Sequence, residues 1–307
     1  MGIVSIARAF RGLNNKVDPA RLQLNLETGV ADLAECVNLR FDQTGRGKRR
    51  AGTTMRHGGE FYSLWARGTL GYVGLNDAIY KINLDLSLTG VVSGLAGTRI
   101  SYCWTPLGVY YVNSATGLND KGILEGDAAR AWVKSDGARE DSPRYYTGPP
   151  DGGSHLELFA SRMLIAKDNS LVYSQPNDYG LYRLSSDFNI LPTRICMVRA
   201  VAGGVYLSDQ EKTYFVTGTD PKEWTRRTVM ECPAMEWSDM TSLVSPKVLG
   251  MEGDDGWACW VSADGLVFGS PQGQILQPTE EMINVPIGFK TGAAVLDGEN
   301  VIYNWHQ

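Results

Sequence analysis

The side chains of this chain best suited to chemistry are its carboxylates, and they are dispersed. Asp168, Asp178, Asp209, Asp220, Asp254 and Asp255 each stand beside Gly, Asn, Ser or Pro, where an Asp side chain satisfies the amides of a turn. A glycosidase needs two carboxylates facing each other across a sugar, and nothing in the linear spacing pairs them. His57, His155 and His306 are far apart, and Cys36, Cys103, Cys196, Cys232 and Cys259 contain no CxxC pair. This pattern predicts reduced thiols, mostly in the core, and no metal centre. Glu252-Gly-Asp-Asp-Gly-Trp257 has the composition of an acidic calcium turn but lacks the alternating ligands and closing Glu of an EF-hand, so it reads as an exposed hairpin loop. A GxSxG elbow, a P-loop and a dinucleotide fingerprint are all missing. The expectation is therefore no catalytic residue, no metal and no cofactor.

One charge cluster does stand out: Arg46, Lys48, Arg49 and Arg50, in the turn-rich stretch Gln43 to Gly52. It is either a solvated hairpin or an electropositive patch that docks an acidic partner or a phosphate backbone. Val37 to Phe41 alternates as a short strand, and Arg49 to Thr54 is positioned to return as its partner.

The elements that would carry these groups are strands. Gly68 to Asn83 reads as an apolar strand, an Asn-Asp turn and a second strand, and related cassettes begin near Pro106, Phe159, Ala202, Trp257 and Gly292. Intervals of about 35 to 55 residues each hold one small antiparallel sheet, and such sheets cover one another's faces by stacking radially into a ring. The predicted fold is all-β, a β-propeller of about six blades, with five to seven allowed. The last cassette is short, so closure by N- and C-terminal strands sharing a blade is expected. A β-sandwich or two smaller β-domains is the alternative. Residues 1–55 are assigned to an N-terminal arm and docking hairpin and 56–307 to the propeller. Asp127 to Trp132 is expected to form a short helical turn, and Asp136 to Gly153 a projecting loop or a linker. Aromatics such as Trp65, Tyr72, Trp104, Tyr206 and Trp260 lie in or beside the strands, where they fill the space between sheets or line an exposed binding surface.

With 307 residues, 43% hydrophobic and 21% charged, the chain is long enough for a sizeable core. A net charge of −5 argues against broad coating of nucleic acid. No stretch approaches the ~20 apolar residues of a membrane-spanning helix. The opening MGIVSIARAF is too short and wrongly ordered for a secretion signal, and Ile6 stands where a myristoylation motif wants Ser or Thr. Synthesis in the cytoplasm without membrane insertion is expected.

GLNNKVDP (12–19), followed after a spacer by VNLRFDQTGRGKRRAGTT (37–54), resembles the opening of tailed-bacteriophage structural proteins of the tail-nozzle and DNA-stabilisation propeller type. LVYSQPNDYG (171–180) and AGGVYLSDQEKTYFVTGTDP (202–221) are similar to the blades of the same proteins. The resemblance covers the chain discontinuously from Phe10 to about Trp224, and the chain is shorter than familiar nozzle proteins. It implies a non-enzymatic part of a virion tail, at the nozzle, head-to-tail joint or tail tip. The expected partners are copies of itself in a ring around the DNA channel and other tail or connector proteins, with passing contact to phage DNA without sequence recognition. Arg46, Lys48, Arg49 and Arg50 are the candidate docking residues. The competing expectation is a carbohydrate-binding or glycan-cleaving propeller that recognises a receptor, with aromatics and paired carboxylates at one mouth of the ring; a cellular interaction scaffold is a further class.

Overall fold

In a computed structural model the described residues are 9–22, 27–28, 30–33, 39–41, 46–49, 56–96, 99–115, 119–136, 145–283, 285, 291–297 and 300–306. Five antiparallel sheets follow one another along the chain and form a β-propeller. The first blade joins Phe61–Arg67, Leu70–Leu75, Ala78–Ile82 and Leu88–Val92, and the second joins Ile100–Thr105, Gly108–Asn113, Lys121–Glu125 and Ala128–Arg130. In the third, His155–Phe159, Arg162–Lys167 and Ser170–Gln175 run in order, with Asp178–Tyr182 and Phe188–Ile190 both pairing on Ser170–Gln175. Met197–Val201, Gly204–Ser208, Thr213–Thr217 and Thr225–Met230 make the fourth, and Ala258–Ser262, Gly265–Gly269 and Ile275–Leu276 the fifth.

Strands of a blade are covered on both faces, which is why they read as continuous apolar runs rather than alternating ones. In Val109-Tyr110-Tyr111-Val112, Val109 and Tyr111 pack into the layer shared with the first blade, while Tyr110 and Val112 pack into the layer shared with the third. Met163, Leu164 and Ile165 divide in the same way between the second and fourth blades. Successive blades are also stitched at their first strands: Ile100 N–H donates to Ser63 Oγ at 2.7 Å, and Leu156 N–H to Ser101 Oγ at 2.9 Å. Adjacent first strands are in contact from the first blade to the fifth, so they line the axis. Tight turns carry the expected residue types: Asn76, Asp168 and Asn177 hold left-handed backbone at φ 55°, 51° and 60°.

The blade number lies at the lower bound of the expected range, because the cassette beginning near Gly292 is a separate two-stranded sheet, Thr291–Asp297 with Asn300–His306. Among the described strands no blade is shared by the termini; the N-terminal strands pair with each other, and two backbone hydrogen bonds tie the terminal segments to the ring. Ala9–Leu13 pairs in parallel with Val30–Leu33, Asn15 N–H donates to Met282 O at 2.9 Å, and Gly292 N–H donates to Glu236 O at 3.0 Å. The helical turn expected at Asp127 to Trp132 is instead the outer strand Ala128–Arg130, since its backbone finds partners along Lys121–Glu125. Of the 136–153 stretch, 137–144 lie outside the described residues; Thr147 pairs with Tyr182 of the third blade. Among the described residues no helix is long and apolar enough to cross a membrane.

Candidate functional site at the propeller axis

Because every blade starts with its axial strand, the starts of these strands gather at one end of the axis and their ends at the other. The ends open into a funnel of about 830 Å³, lined among others by Arg67, Trp104, Phe159, Tyr179, Arg199 and Leu243. Trp104 is 38% exposed, and the Arg67 guanidinium lies 3.5 Å from its ring centroid, a cation–π contact at the rim.

The interior of the axis is closed by charge. Segment 234–244, ahead of the fifth blade, runs beside that blade's axial strand: Met235 N–H donates to Val261 O, Met240 N–H to Cys259 O and Val244 N–H to Trp257 O, each at 2.8–2.9 Å. That path, with Trp237 in left-handed backbone at φ 63°, delivers Glu236, Trp237 and Asp239 to the axis. There Arg199 donates from Nη1 to Glu157 Oε2 at 2.8 Å, and from Nη2 and Nε to Asp239 Oδ2 at 2.5 and 3.2 Å. All three side chains are 14% exposed or less. Glu157 also accepts the Leu158 amide at 3.0 Å and is held by the Ala200 amide. Burial raises the Glu157 carboxyl above its ordinary value and outweighs the opposing Arg199 charge. For Arg199 the balance runs the other way: burial lowers its pKa, but the two carboxylates outweigh burial and hold it above the ordinary arginine value.

His155 stacks flat on Trp237, centroids 4.4 Å apart, with Nδ1 3.1 Å from Ser154 Oγ. Burial lowers its pKa, against the pull of Asp239 and Glu236, so the ring is neutral near neutral pH. The Cys103 thiol is pushed well above its usual range by burial and then by Glu157, which makes it a poor nucleophile. The donors and acceptors of this cluster are thus turned on one another, two carboxylates sharing one guanidinium. No three His, Cys, Asp or Glu groups converge as metal ligands among the described residues.

The basic stretch does form a hairpin, but the strand that returns on Leu39–Phe41 is Gly47–Arg49 rather than the expected Arg49 to Thr54, so the turn is tighter, with Arg40 opposite Lys48 and Leu39 opposite Arg49; residues 50–54 lie outside the described residues. Arg46 and Arg49 are exposed, Lys48 lies on the strand, and Arg50 lies outside the described residues. Turn carboxylates do cap amides: Asp209 accepts from the Glu211 and Lys212 N–H groups, and Asp220 from that of Lys222. Buried Tyr72, Tyr173, Tyr206 and Trp260 fill the blade interfaces, so the core role holds for them while Trp104 stays at the surface. The sequence reading overlooked Glu157, Arg199 and Asp239. For Glu157 and Arg199 a signal was nonetheless present in HLELF and MVRAV, where each is the one acidic or basic residue of a largely apolar strand.

No protein-family model matches the chain, and no curated protein matches it. Among solved structures the chain is similar to a streptogramin B lyase, with TM-score 0.46 and 10% identity over 80% of this chain and 83% of that one. It is likewise similar to virginiamycin B lyase from Staphylococcus aureus (TM-score 0.47, 11% identity, 87% and 85% covered). The N-terminal domain of Nup159 matches at TM-score 0.47 and 12% identity, covering 80% of this chain and 72% of that one. The activity named for the two lyases stays with them.

Proposed function

We propose that this chain is a non-enzymatic structural subunit of a bacteriophage tail, stationed at the nozzle, head-to-tail joint or tail tip and assembled as a ring around the DNA channel. The observation that carries the reading is the phage-like opening at 12–19 and 37–54, set ahead of a propeller. Two physical features support it. The axial groups best suited to chemistry are bound to one another in the Glu157–Arg199–Asp239 cluster, which suits a rigid wheel better than a catalyst. The net charge of −5 lets DNA pass without adhering.

In this reading the hairpin bearing Arg46, Lys48, Arg49 and Arg50 docks on an acidic face of a neighbouring tail subunit. Exposed charges contribute little to the stability of an isolated domain. Replacing all four with Glu therefore leaves the melting temperature of the purified protein within ~2 °C and lowers the number of particles with complete tails. Normal yields of complete, infectious particles from that variant would contradict the docking role. Receptor-glycan binding is a second reading with one observation in its favour, the exposed Trp104 beside Arg67 at the funnel rim. It requires Trp104→Ala to abolish binding to host-surface glycans while tail assembly proceeds.

A further inference from the structure

The starts of the axial strands enclose a second, smaller cavity of about 360 Å³ at the end of the axis opposite the funnel, walled by Tyr62, Arg99, Ser114, Ser154, Arg194 and Trp237, with Glu236 beside them. Its two arginines differ in state. Arg194 is committed, donating to both carboxylate oxygens of Glu236 at 2.5 and 2.8 Å. Arg99 is half-buried and makes no hydrogen bond or ion pair with any described residue. It directly precedes the axial strand Ile100–Thr105, whose Ile100 amide is tied to Ser63, so its backbone is fixed.

A guanidinium presents five donors and no acceptor, and withdrawing it from water without a partner is unfavourable. Burial lowers the Arg99 pKa, partly offset by Glu236. Glu236 is held through both oxygens by Arg194, and two guanidiniums against one carboxylate leave this trio one net positive charge. Ser114, which also lacks a hydrogen bond among the described residues, offers a hydroxyl on the same wall. Trp237, stacked on His155, offers a flat apolar one. A planar fork beside a hydroxyl and an indole fits a bidentate oxyanion carried on a small organic body. The volume admits such a molecule but not a polymer.

We propose that this cavity binds a small carboxylate- or phosphate-bearing ligand, with Arg99 as its anchoring residue. The site stands whether or not the tail reading holds.

The test uses the full chain and two probes, inorganic phosphate and acetate, each titrated at constant ionic strength against chloride while the melting temperature is read. The expected result is a saturable rise with at least one probe, about 2–4 °C at ten times its dissociation constant. A phosphate-only response identifies a phosphate ligand, and an acetate-only response a carboxylate. Arg99→Gln should abolish the rise. Should Arg99→Gln fail to fold, Arg99→Lys, which keeps the charge but loses the fork, should bind several-fold more weakly. Absence of a saturable rise with either probe, or a rise undiminished in the Arg99 variants, would overturn the site.

Discussion

Arg199→Met breaks the axial cluster from its centre. At an effective dielectric of about 20, each carboxylate at contact attracts the guanidinium by roughly 4 kcal/mol, but the desolvation of three charges cancels most of that in the intact protein. The variant loses the attraction and keeps Glu157 and Asp239 buried, at 14% and 6% exposure. The expected loss of stability is about 3–5 kcal/mol, or a fall in melting temperature on the order of 10 °C. The loss also depends on pH with a definite sign. Glu157 already sits above its ordinary 4.5 through burial, with Arg199 opposing. Removing Arg199 raises it further. Across the window from 4.5 up to that folded value the native state holds a proton the unfolded chain has released, so stability falls as pH rises. Urea unfolding at about pH 4.5 and pH 7.5 should thus show a smaller deficit at the acidic value. The triple variant Arg199→Met, Glu157→Gln, Asp239→Asn, which leaves no charge in the cluster and keeps acceptors for the Leu158 and Ala200 amides, should recover most of the loss. A deficit below about 1 kcal/mol, the range of an exposed pair, or one that does not change with pH, would refute the cluster as a buried ionic unit.

Further predictions bear on the blades. A Cβ on Gly203 would overlap the Pro271 carbonyl between the fourth and fifth blades, so Gly203→Ala should cost about 1–3 kcal/mol in urea unfolding; Gly58, with nothing within 4 Å, is the neutral control. His155 has a lowered pKa from burial, so its contribution to stability is full above 6.5 and declines as pH falls through the folded value. His155→Phe, which keeps a ring on Trp237, should flatten the decline seen between about pH 7 and pH 5; an unchanged slope would remove His155 as its source. Deleting 291–307 removes the hairpin whose Gly292 amide binds Glu236 at the axis. A lowered melting temperature is expected, and an unaltered one would show that the five blades hold the wheel without it.

The sequence made the blades legible because both faces of each strand are buried, which leaves long apolar runs broken by Asn and Asp turns such as Asn76-Asp77 and Asp168-Asn169. The intervals between cassettes are uneven for one reason, and the count falls from the central six to five, within the expected range, for another. The cassette at Trp257 begins on an axial strand, whereas those at Gly68 and Ala202 begin on second strands, and residues 231–257 insert an irregular segment ahead of the fifth blade. The final cassette pairs only with itself among the described strands. The axial cluster was harder to read. Glu157 and Arg199 lie on consecutive blades and Asp239 in a loop, 42 and 40 residues from Arg199 to its partners; their meeting depends on parallel first strands converging on one axis, a relation linear spacing does not encode. Arg99 gave still less signal, since an arginine before a strand is ordinary until its surroundings show that no acceptor among the described residues reaches it.

The proposal that the chain is built into a virion is tested most directly on gradient-purified particles of any phage or prophage whose genome is found to carry its gene. Quantitative mass spectrometry of such particles, calibrated against the major tail protein, should find the chain in a fixed multiple of copies per tail that persists through repeated banding. Intact, infectious, fully tailed particles that lack it would contradict the account.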